Sequence, residues 1–383
     1  PKPEGNSAQP SENPSPPNIL GAVLRIENTL PDNAPEWKSY LESSRPVQEM
    51  VRESLNAPCW YFPTGNTLFF EMEDEKENSP IAVISLFRLY GAKFIYYSGI
   101  EQNMSEAGAA LEDAWRLSVT MASAGRITST LRFRPEFDDY GIQPDAWFAM
   151  ERFPQWVAYL AYAHRDNDDF LKALASLVQP YIANTAFRKA ALRSYCIELD
   201  DTLIKPILKS EIRFHDRVRI MMVSKNLRQE AAFIHDHRDD VEKQILGSPE
   251  ELRQWLEKDD RYIPDRRRGP MEIKGPPLFQ LIRRAAEIEA NWAAASLAIA
   301  LERYRLAKGA LPESLDVLAP EYQEKTPPCP INNKPFHYIR TPDTTAFQLK
   351  SSEEGISWRN TWQFDYATAT GMANNDPKEK VIS

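Results

Sequence analysis

Apolar residues recur along most of this chain at the three- and four-residue spacing that is typical of amphipathic helices. The pattern is strongest from Leu278 to Lys308, where eight alanines lie between positions 285 and 300 and apolar residues occupy two faces. A helix that is apolar on two faces packs against neighbours on both sides, so we expect a central helix here. Gly309 marks its end, because glycine readily adopts the left-handed conformation that closes many helices.

Weaker helical patterns precede this segment. They predict one helix around 19–26 and a second from Pro35 within 19–57, a helical hairpin in 80–124, and single helices in 146–163, 170–182 and 187–208. Asn103 with Glu106 has the spacing of a capping box, in which each residue satisfies a free amide of the other, and Ser248 with Glu251 repeats it. A small residue, Gly91, lets the helices of the hairpin approach closely. The hairpin resembles a tetratricopeptide unit, although no clean 34-residue repeat is found.

The end of the chain predicts a small sheet. The pattern of residues 334–339 and 346–349 predicts two short strands. Aromatic runs on both sides of a turn that contains proline and glycine predict a short hairpin near 59–71. The expected fold is mainly α with a small β part: a tetratricopeptide-like helical array, a long C-terminal spine helix and a small antiparallel sheet. The expected organisation is a Pro-rich disordered tether in 1–18, the helical array in 19–275, the long helix with the sheet in 276–360, and a tail in 361–383.

Composition restricts the class of protein. The chain has 383 residues, 42% of them hydrophobic, and a formal net charge of −9, whereas a general nucleic-acid binder shows a clustered basic excess. The chain starts with Pro1 rather than methionine, and the tether would follow a removed signal peptide, lipoprotein signal or membrane anchor. We therefore expect an exported, periplasmic or cell-envelope protein that meets the membrane only through that missing segment. The most apolar run, 81–100, contains Arg88 and Lys93, which favours a buried helix over a membrane span.

Residues with metal-binding or redox potential are few. The three cysteines, Cys59, Cys196 and Cys329, lie far apart without a CxxC spacing, so buried thiols are expected, and one disulfide stays open as an alternative. His235 and His237, followed by two aspartates at 239 and 240, form the only ligand-like cluster in the sequence. Residues two apart on a helix point away from each other, so this pair would share a metal only in an extended segment.

Charged clusters give no stronger indication of chemistry. Glu198, Asp200 and Asp201 lack a recognisable acid/base partner, and a salt-bridged role is favoured. The arginines at 266–268 would suit a phosphate or acidic partner, but the mixed charge of 209–274 favours solvent-exposed helices with intrahelical ion pairs. Motifs for nucleotide binding, a nucleophilic serine or a zinc protease are absent from the sequence. No catalytic, cofactor-binding or metal-ligating residue is assigned, and no cofactor is expected.

The last 80 residues carry a recognisable pattern. It runs Leu301-x-x-Tyr-Arg-Leu-Ala-Lys-Gly309, then Leu311-Pro312, Pro335-Phe-x-Tyr338 and Phe347-x-Leu-x-Ser351. This resembles the globular part of type II secretion pseudopilins, in which a long helix packs on a small antiparallel sheet. It is more closely similar to large uncharacterised exported proteins of planctomycete and verrucomicrobial type, in which a tetratricopeptide-like region precedes the same ending. The resemblance implies a packing module rather than an activity.

The sequence departs from the pseudopilin pattern in two places. Charged residues at 283, 284, 287 and 289 interrupt the helix, whose longest uncharged run, 290–301, is 12 residues and well short of the ~20 that cross a bilayer. The acidic calcium loop of the major pseudopilins has no counterpart beyond Glu353 and Glu354. Two functions therefore remain. The favoured one is a non-enzymatic envelope scaffold that binds another protein or a peptide; the alternative is a hydrolase, glycan-active for example, with carboxylates converging from different helices.

Overall fold

The computed structural model describes residues 34–56, 80–123, 146–199, 238–248, 250–252, 254, 277–341, 345–351 and 363–370. Within these residues the chain is mainly helical, with one small antiparallel sheet, as the sequence predicts. The helices are α1 (Ala34–Ser43), α2 (Arg45–Asn56), α3 (Pro80–Ile95), α4 (Met104–Ser123), α5 (Ala146–Ala163), α6 (Asp168–Val178), α7 (Ala186–Leu199), α8 (Arg238–Leu246), α9 (Pro277–Lys308) and α10 (Tyr366–Thr370). The strands are β1 (His337–Arg340), β2 (Phe347–Lys350) and β3 (Gln363–Asp365).

Shorter helical turns continue or follow several of these elements. A π-helical turn, Tyr96–Ile100, extends α3, and 3₁₀ turns occupy Gln179–Tyr181 after α6 and Leu315–Leu318 after α9. Of these turns, the first redirects the chain without a long loop, so α3 and α4 remain close neighbours. The second of them brings Tyr181 into the core, where 5% of its surface is exposed.

Of the two capping boxes that the sequence predicts, the one at Ser248 forms completely and the one at Asn103 forms by half, because the Asn103 N–H donates to the carbonyl oxygen of Tyr97 at 2.7 Å instead. The backbone N–H of Glu106 donates to Oδ1 of Asn103 at 3.2 Å, which starts α4. The Ser248 N–H donates to Oε2 of Glu251 at 2.7 Å, and the Glu251 N–H donates to Oγ of Ser248 at 3.3 Å, so both halves of the capping box form. Gly309 ends α9 with a φ of 83°, the left-handed conformation that glycine tolerates.

The long helix α9 is 32 residues long and packs against α5, α6 and α7. Its alanines allow these neighbours to approach, because a methyl side chain occupies little space between two helix axes. Buried positions lie on more than one face; examples are Ala286 and Leu297 on one face and Ile288 and Ala295 on the opposite face, all without exposed surface. The helix therefore lies inside the packed helices and contributes a large share of the core.

An aromatic cluster fills the centre of this packing. Trp292 of α9 is fully buried, and its ring lies 5.0 Å from that of Tyr181 and 6.0 Å from that of Trp115 in α4. Trp115 also meets Phe187 of α7 edge to face at 4.9 Å. Buried aromatic pairs in these geometries add about 0.5–1.5 kcal/mol each beyond the burial of their area. The cluster thus joins α4, α6, α7 and α9 at one point.

Gly91 of α3 permits a close contact with α5 rather than with its hairpin partner. A Cβ at this position would lie 2.2 Å from the ring of Trp156 in α5. The hairpin partner α4 contributes its own small residues, Ala107 and Ala110, which have no exposed surface. The sequence therefore indicates the need for a small residue correctly, but the structure shows that a different helix uses the space.

The sheet has three antiparallel strands in the order β1-β2-β3. Tyr338 pairs with Leu349, and Leu349 pairs with Phe364. The third strand and the short helix α10 occupy 363–370, a segment that the sequence assigns to the tail, so the structure differs from that prediction. The reason is local packing: Tyr366 is fully buried and stacks on Phe347 at 4.3 Å, which holds this part of the chain against the sheet.

Several sequence predictions fall on residues outside the described ranges. These are the Pro-rich tether in 1–18, the hairpin near 59–71, most of the charged segment 209–274, and the loop with Glu353 and Glu354. The helix expected around 19–26 also lies outside them, and the single helix expected from Pro35 is instead two helices, α1 and α2. The helix expected in 187–208 is described as far as Leu199. Among the helices that the structure describes, none combines the length and the apolar character needed to cross a membrane.

Candidate functional site

A shallow groove lies where α6, α9 and the chain after the 3₁₀ turn Leu315–Leu318 meet. Its volume is about 220 Å³. Ser176 and Gln179 line it from the side of α6, Ser296 from α9, and Gln323 and Glu324 from the loop. Sites for drug-sized ligands measure about 300–1,000 Å³, so this groove has room for one or two side chains rather than for a whole small molecule.

Amide and hydroxyl groups dominate the chemistry of the groove. Nε2 of Gln323 donates to Oγ of Ser296 at 3.1 Å, which fixes the loop on α9. Oε1 of Gln323 is buried and accepts no hydrogen bond within the described residues. Gln179 and Ser176 are exposed at the rim. The groove therefore offers hydrogen-bonding groups and a single carboxylate, that of Glu324, to whatever enters it.

Arg303 of α9 holds the loop side of the groove in place. Its Nη1 donates to the carbonyl oxygen of Tyr322 at 3.0 Å, and its Nε donates to Oδ1 of Asp168 at 3.0 Å. Asp168 begins α6 and also binds Lys172 at 2.7 Å. Lys172 and Arg303 hold the pKa of the Asp168 carboxyl below its ordinary value. One arginine thus ties the start of α6 and the loop to the same point of α9.

The buried carboxylates of the described residues are bound by arginines. Asp113, Glu289 and Glu302 have between 1% and 4% of their surface exposed. Oδ2 of Asp113 lies 2.6 Å from Nη2 of Arg52, and Oε2 of Glu302 lies 2.6 Å from Nε of Arg305. Glu289 is bound by Arg188 through two contacts. A general acid or base must exchange its proton with substrate, whereas these oxygens are held by guanidinium groups. Their arrangement fits structural ion pairs.

The pair of Arg188 and Glu289 is the most enclosed of the three. Nε of Arg188 donates to Oε1 of Glu289 at 2.7 Å, Nη2 donates to Oε2, and Nη1 donates to the carbonyl oxygens of Ile245 and Gly247 at 3.1 and 3.3 Å. Burial raises the pKa of Glu289, and the Arg188 guanidinium opposes that shift. The pair joins α7 to α9 and satisfies carbonyls at the end of α8.

Glu302 connects α9 with the sheet. Oε1 accepts a hydrogen bond from the Tyr366 hydroxyl at 2.8 Å, and Oε2 accepts one from Arg305. Arg305 also donates to the carbonyl oxygen of Arg165 at 3.1 Å, at the turn between α5 and α6. Burial raises the pKa of Tyr366 far above its ordinary value, and Glu302 adds to the shift. The phenol therefore stays protonated and acts as a donor.

The candidate ligands named from the sequence are not brought together in the described residues. His235, His237, Asp200, Asp201 and the arginines at 266–268 lie outside these residues, and Glu198 belongs to the last turn of α7. Two aspartates, 239 and 240, lie in the first turn of α8 and are exposed. Within the described part of the chain, no three histidine, cysteine or acidic side chains converge on a point that would hold a metal ion.

The cysteines likewise give no redox site in the part that can be described. Cys329 is a buried free thiol, and burial raises its pKa to about 11. A thiol with a raised pKa is mostly protonated at neutral pH and is a poor nucleophile. Cys59 lies outside the described residues and Cys196 belongs to α7, so the pairing left open by the sequence stays open.

The groove itself was not predicted from the sequence. Its residues come from three elements, of which α6 lies more than 100 positions before the other two, and none of these residues stands out in its local pattern. The ion pairs were missed for the same reason, since Arg188 and Glu289 lie 101 residues apart. The nearest signal in the sequence is a charged residue inside the apolar pattern of α9, which by itself predicts only an interruption of the apolar face.

Comparison with known proteins gives no assignment. No protein-family model, curated protein or solved structure matches this chain. The likeness of the last 80 residues to pseudopilin globular parts, and to exported planctomycete and verrucomicrobial proteins, stays a prediction from the sequence. The function is therefore argued from the geometry of the groove and of the buried charges.

Proposed function

We propose that this protein is a non-enzymatic scaffold of the cell envelope that binds a segment of another protein or a peptide. The groove between α6, α9 and the loop at Gln323 is the binding site. The observation that carries the proposal is its size and lining: about 220 Å³ with amide and hydroxyl groups and one carboxylate. Such a groove accepts one or two side chains of a longer polypeptide, whose remaining residues pass over the surrounding helices.

The state of the buried carboxylates supports a binding role over the alternative of a hydrolase. Glycosidases need two carboxyl groups facing the substrate, about 5–10 Å apart. Asp113, Glu289 and Glu302 are instead each bound by an arginine. The groove contains one carboxylate, Glu324, at its rim. The described residues thus favour recognition of a partner over hydrolysis.

The wider organisation belongs to the same proposal. Helical arrays of tetratricopeptide type present a concave surface to peptides, and α9 would be the spine that joins such an array to a pseudopilin-like sheet. The proline-rich residues 1–18 would tether this body to the envelope. Both statements rest on sequence composition and on the resemblance of the last 80 residues.

The test is selection of linear peptides from a displayed random library on the full chain, followed by calorimetry with the enriched peptides. We expect peptides with a shared motif that bind one to one. Ser176→Trp fills the groove from its exposed rim, since the Ser176 hydroxyl bonds only to the carbonyl oxygen of Lys172 within its own helix, and this variant should lose binding. Ser43→Trp is the matched control, because Ser43 is an exposed helical serine with the same kind of bond, to the carbonyl oxygen of Tyr40.

Two results would contradict the proposal. One is selection without enrichment, or enriched peptides that bind the Ser176→Trp variant as well as they bind the parent protein. The other is turnover of a glycan or ester substrate by the purified chain, which would favour the hydrolase. Thermal melts of both tryptophan variants show that a loss of binding does not arise from unfolding.

A further inference from the structure

The free edge of the sheet presents unpaired backbone groups. β1 pairs with β2, and the Thr341 N–H donates to the Ala346 carbonyl oxygen at 2.9 Å. In an antiparallel pair, hydrogen-bonded and non-hydrogen-bonded positions alternate, so Ile339 also bonds to β2. The N–H and C=O groups of Tyr338 and Arg340 consequently point away from β2. In the described part of the chain these four groups take part in no hydrogen bond.

The edge is partly exposed and held in a fixed position. All four residues of β1 have intermediate exposure. The Tyr338 hydroxyl donates to the carbonyl oxygen of Pro312 at 3.2 Å, and Nη1 of Arg340 donates to that of Leu311 at 3.0 Å. These two bonds anchor the strand to the segment after α9. An edge that is already ordered loses little conformational freedom when another strand pairs with it.

We propose that β1 pairs with β1 of a second copy of this chain, antiparallel, around a two-fold axis through Ile339. In this register Tyr338 lies opposite Arg340 of the second copy, and the reverse pair is equivalent by symmetry. Both residues carry outward-pointing N–H and C=O groups, so each pair exchanges two hydrogen bonds and the interface forms four. The two three-stranded sheets become one sheet of six strands.

The side chains make this register self-complementary. On one face Tyr338 is opposite a guanidinium group, and arginine is attracted to the face of an aromatic ring. On the other face Ile339 meets its own symmetry mate, an apolar contact between two partly exposed side chains. A two-fold axis through Arg340 would place like charges directly opposite each other. An axis through Tyr338 would place Arg340 opposite Phe336. The Phe336 side chain is 4% exposed and is therefore not accessible to a second copy.

The expected dimer is weak and depends on concentration. Stable interfaces bury about 1,600 Å² in total, whereas this one consists of four backbone hydrogen bonds and three side-chain contacts. The strand is four residues long, and short edge strands limit uncontrolled pairing. Association through this edge therefore needs a high local concentration, such as that of chains collected on one surface.

Sedimentation equilibrium over roughly 10 µM to 1 mM protein, a range chosen for weak association, tests the proposal. We expect a monomer–dimer equilibrium for the full chain and a monomer throughout for Ile339→Lys, which places two cations on the two-fold axis. Val47→Lys is the control; Val47 is 44% exposed on α2, away from the sheet, and this variant should dimerise like the parent protein. A parent protein that stays monomeric, or a dimer that Ile339→Lys leaves unchanged, would overturn the proposal.

A covalent trap tests the register without relying on that lysine variant. Non-hydrogen-bonded antiparallel pairs have Cα atoms about 4.5 Å apart, within the range of about 4.4–6.8 Å that a disulfide spans. Ile339→Cys should therefore form an intermolecular disulfide under mild oxidation with oxidised glutathione, much faster than Val47→Cys at the same concentration. Equal rates of cross-linking in the two variants would contradict the two-fold axis through Ile339.

Discussion

Replacing Arg188 by methionine removes the cation from a carboxylate that is 1% exposed. Glu289 then loses both of its guanidinium contacts, and the carbonyl oxygens of Ile245 and Gly247 lose their donor. Breaking a buried ion pair by removing one partner costs about 3–5 kcal/mol, because the remaining charge stays out of water. The two carbonyls add to that cost, so we expect the upper part of this range.

This loss is large relative to the whole free energy of unfolding, which is about 5–15 kcal/mol for natural domains. Urea denaturation followed by tryptophan fluorescence measures it. The free energy of unfolding falls by about 3 kcal/mol for each molar increase in urea. A loss of about 4 kcal/mol therefore lowers the urea concentration at the unfolding midpoint by roughly 1.3 M. Methionine is chosen because it has a length similar to arginine and leaves no large cavity.

Two matched variants separate the charge effect from the packing effect. Arg45→Met breaks an exposed pair with Glu49, whose side chains are 78% and 64% exposed, and should change stability by less than about 0.5 kcal/mol. Combining Arg188→Met with Glu289→Leu should recover much of the loss, since apolar replacement of a whole buried pair is often neutral. A loss below about 1 kcal/mol for Arg188→Met alone, or no recovery in the double variant, would refute the reasoning.

Two further predictions concern single sites. Gly91→Ala should lower the thermal midpoint by the equivalent of about 1–3 kcal/mol, because its Cβ would lie 2.2 Å from the ring of Trp156. Gly108→Ala should be neutral or stabilising, because its Cβ would lie 3.8 Å from Leu177, an ordinary contact distance. Equal losses of stability in the two variants would contradict the packing argument. Burial lowers the pKa of His164, against a backbone hydrogen bond to Gly99, so the unfolded chain binds the proton first as pH falls. The free energy of unfolding should therefore decline as the pH falls below about 6.5. Urea titrations of His164→Gln at several pH values should show a smaller decline. The same dependence on pH in the variant and in the parent protein would contradict this prediction.

The elements of the fold follow largely from local sequence signals. The sequence predicts helix starts at Asn103 and Ser248 and a helix end at Gly309, and the structure confirms all three, because each of these features depends on residues within four positions. The length of α9 was predicted to within one residue at its start for the same reason: its period and its flanking residues are both local. Propensity and capping act over one helical turn, which a single sequence displays directly.

The candidate site and the third strand depend on distant residues, and this explains why they were missed. β3 has three residues, Gln363–Asp365, too few to show an alternating pattern. It is stabilised by the pairing of Phe364 with Leu349 and by the burial of Tyr366. Glu289 lies in an apolar stretch of α9, and the local pattern does not show that Arg188 neutralises it. The sequence alone therefore favours an interrupted helix where the fold has a buried ion pair.

The helix α9, with the fully buried Trp292 at its middle, is expected to hold together the helices that pack against it. Removing a buried tryptophan costs about 3–5 kcal/mol, and an unpaired carboxylate in its place adds a large desolvation cost. The most direct measurement is thermal unfolding of Trp292→Asp followed by far-UV circular dichroism, beside Trp292→Phe and the exposed-site control Val317→Asp. We expect the cooperative unfolding transition to be lost in Trp292→Asp alone. A folded Trp292→Asp variant with a melting curve like that of the parent protein would contradict it.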